Sequence, residues 1–216
     1  MYVTGIVILT DAIAALVISL FIFFGVIGLK NIVLDLELKN KDLKSKSRID
    51  QLTGAFSHDE AYNRGKEDIA RSQRNKKSVG FIMIDLDYFK RVNDHYGHLA
   101  GDLVLKKLSQ ICKKQIRNVD TFARFGGEEF LAVLPNVDST YLNDVAERLR
   151  ANIEKYNFKY MHKKININIS AGTSLFDPKK DKNMNANSIF LKYVKRADDA
   201  MYIAKDKGRN RVEQWT

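Results

Sequence analysis

Three acidic residues in two short stretches carry the chemistry this sequence is equipped for. Asp85 follows the apolar run Val79-Gly-Phe-Ile-Met-Ile84, and Glu128-Glu129 follow Gly126-Gly127. The carboxyl end of a buried strand is where α/β folds display ligands. Asp85 and Glu128 offer the hard oxygens by which a few carboxylates and substrate phosphates hold Mg²⁺. Taken alone, Asp85 could equally cap the next helix. The amides that follow it open a short helix with Lys90 nearby, which suits a polyphosphate. Lys205 and Arg209 lie four apart on one helical face and could clamp the same phosphates. A solvated basic face is the alternative for that pair. Asn93 and Asp102 are candidates for reading a base, because guanine offers N1–H and N2–H side by side and a carboxylate can accept both. Asp102 could equally cap the long helix that follows Gly101.

These residues need a scaffold, and the pattern supplies one. Ser57-His58-Asp59-Glu60 has capping-box spacing and predicts a helix to about Arg74. Val79 to Ile84 is strand-like, followed by a short polar helix and a long amphipathic helix from about Gly101 to Arg117. Thr121 to Phe125 and Glu129 to Leu134 flank the two glycines as a hairpin should. Asp138 to Thr140 caps a helix to about Tyr156, and Ile165, Ile167 and Ile169 alternate with asparagines as one half-buried strand. Ser188 to Lys207 forms the last helix, and Arg211 to Trp215 a closing strand. The single cysteine, Cys112, sits in an apolar helical stretch and reads as packing.

The motifs Asp50-Gln-Leu-Thr-Gly54, Asp85-Leu-Asp-Tyr-Phe-Lys-Arg-Val-Asn-Asp94, His98-Leu-Ala-Gly-Asp102, Arg124-Phe-Gly-Gly-Glu-Glu-Phe130 and Ala204-Lys-Asp-Lys-Gly-Arg-Asn210 occur in this order. Together they resemble the GGDEF-domain diguanylate cyclases over nearly all of residues 48–216. The resemblance implies an α/β (α+β) fold like adenylate cyclase and polymerase palm domains, with a central, mainly antiparallel sheet flanked by helices. It implies that two domains meet as a homodimer, each presenting one GTP, and that each ribose 3′-oxygen attacks the other nucleotide's α-phosphate, giving cyclic di-GMP and two pyrophosphates. It places Asp85, Leu86 and Glu128 at Mg²⁺ or Mn²⁺, two ions per GTP, and gives Glu129 a part in metal binding or 3′-hydroxyl deprotonation. Asn93 and Asp102 would hold guanine, Gly126 and Gly127 would let backbone approach the nucleotide, and Phe89, Lys90, Lys205 and Arg209 complete the substrate set. Arg117-Asn-Val-Asp120 matches the family's inhibitory site for its product, with Arg148 as a secondary contact; an ordinary surface ion pair is the alternative. The chain departs from the family at Ala55-Phe56-Ser57-His58, where Leu-x-Asn-Arg is usual. A silent domain that only senses GTP or cyclic di-GMP would have lost acidic residues or glycines that are all present here.

The chain has 216 residues and a net charge of +10, which suits nucleic acid, anionic lipid or phosphorylated small molecules alike. A nucleic-acid role gives no reason for five ordered motifs, so nucleic acid is not an expected partner. Residues 12–29 are uncharged, long enough to span a bilayer once, and only Lys30 and later residues bring positive charge. The positive-inside rule then puts the remainder in the cytoplasm. The expected organisation is a membrane anchor over 1–30, a helical linker over 31–47 and the domain over 48–216, at the inner, cytoplasmic membrane.

Overall fold

The structure, a computed structural model, describes residues 20, 22–35, 47–181 and 184–215. Residues 22–35 form helix α1. Most of the expected membrane segment and linker lies outside the described residues, and among these no helix is long and apolar enough to cross a membrane. The chain divides into units Met1–Ser47 and Arg48–Thr216.

The second unit is built on a five-stranded sheet. Its strands are β1 (Val79–Leu86), β2 (Thr121–Arg124), β3 (Glu129–Pro135), β6 (Ile169–Phe176) and β7 (Val212–Gln214), in the order β2-β3-β1-β6-β7. β1 is antiparallel to both neighbours and β7 is parallel to β6, so the sheet is mixed, with antiparallel pairs at its centre. Every residue of β1 is buried, which explains an apolar run without alternation: helices cover both faces. On one side Phe81 and Met83 pack with residues of α2 (His58–Asn75) and α6 (Ala186–Asp206). On the other, Ile82 and Ile84 pack with α3 (Phe89–Tyr96), α4 (His98–Lys113) and α5 (Ser139–Lys155). Ser57, Asp138 and Asn185 cap α2, α5 and α6 through their side chains, as the sequence leads one to expect of the first two.

Two boundaries differ from expectation. The long helix is α4 and runs from His98 to Lys113, not from Gly101 to Arg117. Gly97, at φ 83, turns the chain straight from α3 into α4, so Asp102 lies inside the helix and is no cap. At the other end the Asp120 carboxylate captures the Arg117 N–H at 2.7 Å, a local turn that competes with further helix. The isoleucine series is likewise not one strand. Ile165 closes the small hairpin of β4 (Phe158–Tyr160) and β5 (Lys163–Ile165), and Ile169 opens β6 in the main sheet. All three isoleucines are buried, so the alternation reports burial correctly across two sheets.

α6 lies directly on β6 because both surfaces are small. A Cβ on Gly172 would overlap the Ala197 carbonyl oxygen and the Met201 nitrogen. Backbone cannot yield as a side chain can, so Gly172→Ala is expected to cost about 2–3 kcal/mol, read from the midpoint of urea unfolding.

Candidate active site

The sheet brings the acidic residues together. Asp85, one residue from the end of β1, pairs with Glu129 on β3 and with Ser170 on β6. Side chains directly opposite in an antiparallel pair stand about 5 Å apart. Asp85 is 5% exposed, and Lys205, reaching in from α6, places Nζ 2.8 Å from its Oδ2. Burial raises the Asp85 carboxyl above the usual range, against the pull of Lys205. Glu128 and Glu129 are raised too, first by burial and then by repulsion from Asp85. One lysine thus faces three carboxylates that resist further negative charge, an arrangement that favours bound cations.

The two glycines of the turn do different work. A Cβ on Gly126 would collide with the Glu129 carboxylate, whereas one on Gly127 would meet nothing within 4 Å. Gly126 makes room for the Glu129 side chain of this same chain, and Gly127 leaves open surface. The turn is held by backbone bonds from Phe125 and Gly126 N–H to Glu129 O, at 2.8 and 3.2 Å. Arg124 adds two donations to Gly127 O, from Nη2 at 2.6 Å and Nε at 3.2 Å. Arg124 is in turn paired with Asp50 at 3.4 Å, and Asp50 accepts from the Thr53 N–H and hydroxyl at 2.8 and 2.6 Å. The Asp50-to-Gly54 motif is therefore a bracket for the glycine turn, a role its sequence did not disclose. At the departure from the family pattern, Ser57 keeps the helix cap and the His58 ring lies tilted against Phe125, with ring centres 4.4 Å apart.

The loop after β1 is organised by Asp87. Its carboxylate accepts from the Ser170 hydroxyl at 2.7 Å and from the Asn210 N–H at 3.0 Å, fastening the segment that carries Arg209 to the end of β1. Sequence reading gave Asp87 no role, although it lies two residues after Asp85. The side chains of Leu86 and Phe89 are buried, so only their backbone groups can serve metal or substrate. Lys90 is exposed at the start of α3. Asn93 on α3 meets Gly101 on α4, whose added Cβ would overlap Asn93 Oδ1, and Asp102 is the next residue. Both base-reading candidates thus belong to one helix–helix junction.

Arg117, Asp120 and Arg148 lie elsewhere. Arg117 Nη2 bonds Asp120 Oδ1 at 2.7 Å and Pro135 O at 2.9 Å, and Pro135 ends the strand that begins at Glu129. The Asp120 side chain is fully buried while Arg117 is 39% exposed, so this is a half-buried pair and not an ordinary surface one. Arg148 donates to Gln115 O at 2.7 Å, near the same turn.

Among the described residues no three His, Cys, Asp or Glu side chains form a metal cage. Asp85 and Glu128, with the Leu86 carbonyl, are nevertheless hard oxygen donors, and Mg²⁺ characteristically completes its shell with water and substrate phosphate. The residues fit such an ion.

A family model described as diguanylate cyclase, GGDEF domain, matches residues 47–211. The chain belongs to this family. Diguanylate cyclase A of Treponema denticola is 44% identical over 144 residues, covering 67% of this chain and 37% of that protein. Diguanylate cyclase DosC of Escherichia coli is 36% identical over 151 residues, covering 69% and 31%. This GGDEF chain therefore spans well under half the length of these relatives. Among solved structures, diguanylate cyclase SiaD of Pseudomonas aeruginosa, in complex with its activator SiaC, superposes with a TM-score of 0.71 at 31% identity over 86% of this chain and 67% of that one. The active GGEEF domain of a Vibrio cholerae diguanylate cyclase gives 0.67 at 29% identity, covering 77% and 99%. These likenesses bear out the α/β sheet-and-helix architecture of the GGDEF domain.

Arg124→Ala should cut turnover about 10–100-fold by loosening the glycine turn, with a melting temperature within about 4 °C of wild type. Asp85→Asn is expected to remove activity yet raise the melting temperature by up to about 3 °C at pH 7. The sign follows from the raised folded-state pKa of Asp85: folding disfavours its charged form. The gain from the amide is present at neutral pH, begins to shrink as pH falls through that raised value and is gone below the ordinary aspartate range. A lower melting temperature at pH 7 would mean that the Lys205 pair outweighs burial.

Proposed function

We propose that this chain is a diguanylate cyclase that joins two GTP molecules into cyclic di-GMP and two pyrophosphates. The observation that carries the reading is Asp85 directly opposite Glu129 at the sheet's end, with Glu128 beside them and Lys205 on Asp85. Mg²⁺ or Mn²⁺, two ions per GTP, would activate the 3′-oxygen and neutralise charge on the leaving pyrophosphate. Asp85, Glu128 and the Leu86 carbonyl hold the metal side of the site. Glu129, whose carboxyl is raised by burial and by Asp85, is set to assist there or to accept the 3′-hydroxyl proton. Lys205, Arg209, Lys90 and the backbone at Phe89 bind phosphates, and Gly127 gives the nucleotide close access to the turn. Asn93 and Asp102 hold guanine, and an adenine would face Asp102 with an acceptor at N1 and be repelled.

Each domain presents one nucleotide, so activity requires a homodimer. Arg117 and Asp120, with Arg148, form the inhibitory product site at the far end of β3. The uncharged residues 12–29 anchor the chain in the inner membrane as a single span, with the catalytic domain in the cytoplasm. Relatives described as membrane proteins support this: an uncharacterized membrane protein of Staphylococcus epidermidis is 34% identical over 170 residues.

The test incubates the full chain in detergent, and residues 48–216, with GTP and Mg²⁺ and follows cyclic di-GMP by mass spectrometry. Glu129→Ala should reduce synthesis at least about 100-fold. Binding of GTP without product in either form would instead identify a silent sensor. Arg117→Ala should shift product inhibition to at least about tenfold higher cyclic di-GMP, since hydrogen bonds to charged groups are worth about 1.5–3 kcal/mol. Unchanged inhibition would remove Arg117 from that site.

A further inference from the structure

Tyr88 occupies a costly backbone position for a residue that lies half in solvent. It precedes α3 with φ 58, in the left-handed region, and makes no capping bond. The residue is 52% exposed. A non-glycine residue held there is a strained feature that the surroundings must enforce. The enforcing contact is next door, where Asp87 is fastened to Ser170 and to the Asn210 N–H. The facing segment is bent in the same sense, with Gly208, Arg209 and Asn210 at φ 108, 65 and 47.

The two strained segments meet through one aromatic ring. The Arg209 guanidinium lies over Tyr88 at 4.6 Å from the ring centre, and the Arg91 guanidinium at 4.5 Å. Arg209 Nη1 also donates to Lys205 O at 3.4 Å. A cation over an aromatic face is held without spending its hydrogen-bond donors. Such an arginine is oriented before an anion arrives, and the ordering cost of binding falls.

We propose that Tyr88 is the positioning residue for Arg209, its ring holding the guanidinium ready for the triphosphate of GTP. The proposal rests on the reading of Arg209 as a phosphate ligand. The ring's face does this, so Tyr88→Phe retains the function. Tyr88→Asn deletes the ring while keeping a residue that tolerates left-handed backbone, so its loss is not one of added strain.

The experiment uses the full chain in detergent, with two probes that cannot react: 3′-deoxy-GTP, which lacks the attacking hydroxyl, and GMP, which has no pyrophosphate to leave. Calorimetry should show 3′-deoxy-GTP bound about five- to tenfold more weakly by Tyr88→Asn, GMP bound as by wild type, and Tyr88→Phe unchanged for both. With GTP, KM should rise in the same proportion while kcat holds. In an Arg209→Ala background the Tyr88→Asn effect should vanish. Four results would overturn the proposal. If Arg209→Ala weakens 3′-deoxy-GTP but Tyr88→Asn does not, the ring does not position the arginine. If Tyr88→Asn weakens both probes alike, or acts equally with Arg209 removed, the ring serves the loop and not the cation. If Arg209→Ala leaves 3′-deoxy-GTP binding intact, the assignment of Arg209 to phosphate fails first, and the proposal with it.

Discussion

A carboxylate at the end of a strand buried on both faces is unstable unless a cation meets it, and the ion pair of Asp85 with Lys205 offsets part of that cost. Desolvating one charge costs several kcal/mol, which only a close and well-supported partner offsets. Much of the domain can be understood as what it takes to bring Lys205 to this point. α6 must approach β6 closely, so Gly172, Ala197 and Ala200 are small where they meet. The chain must then turn sharply after α6, through three left-handed residues, and be fastened to Asp87 before returning as β7.

The same pair makes the site expectant of cations. Three carboxylates, one of them nearly sealed from water, hold pKa values raised by burial and by neighbouring carboxylates, Asp87 acting on Asp85 and Asp85 on the two glutamates. Lys205 and, more weakly, Arg209 offset part of this charge. The hard oxygens of Asp85 and Glu128 would suit a divalent ion there, where a lysine already shows that positive charge is welcome. Rigidity of the surrounding sheet keeps the carboxylates from relaxing apart, because both strands flanking Asp85 are fully registered with β1.

The sequence disclosed the helices with side-chain caps, the hairpin around the glycines and the buried strand that leads to Asp85, because each has a local signature. It disclosed β6 poorly for a physical reason. Ser170, Thr173 and Ser174 are buried but polar, and each is satisfied by a long-range bond, to Asp87, Asn143 and the Tyr193 carbonyl. Such a strand has no apolar run to read, since it is chosen for small size under α6. The boundary between α3 and α4 was legible in Gly97 but was assigned to Gly101, whose small size instead serves contact with Asn93. The three carboxylates that the sheet brings together, Asp85, Glu128 and Glu129, stand out in the motifs. The brackets that aim them, Asp50 with Arg124 and Asp87 with Asn210, join residues 74 and 123 positions apart. Pairings at such separations leave no period in a sequence.

The unlike surroundings of Gly126 and Gly127 bear on how such a turn changes over evolutionary time. Gly126 answers to Glu129 within the same chain, whereas Gly127 faces open space. A lineage that abandoned the reaction would release the second glycine to drift at once. The first would stay favoured while Glu129 keeps its present rotamer, since a Cβ there displaces the end of that side chain. The order in which the two positions decay in related genes would thus record whether substrate or side chain was given up first.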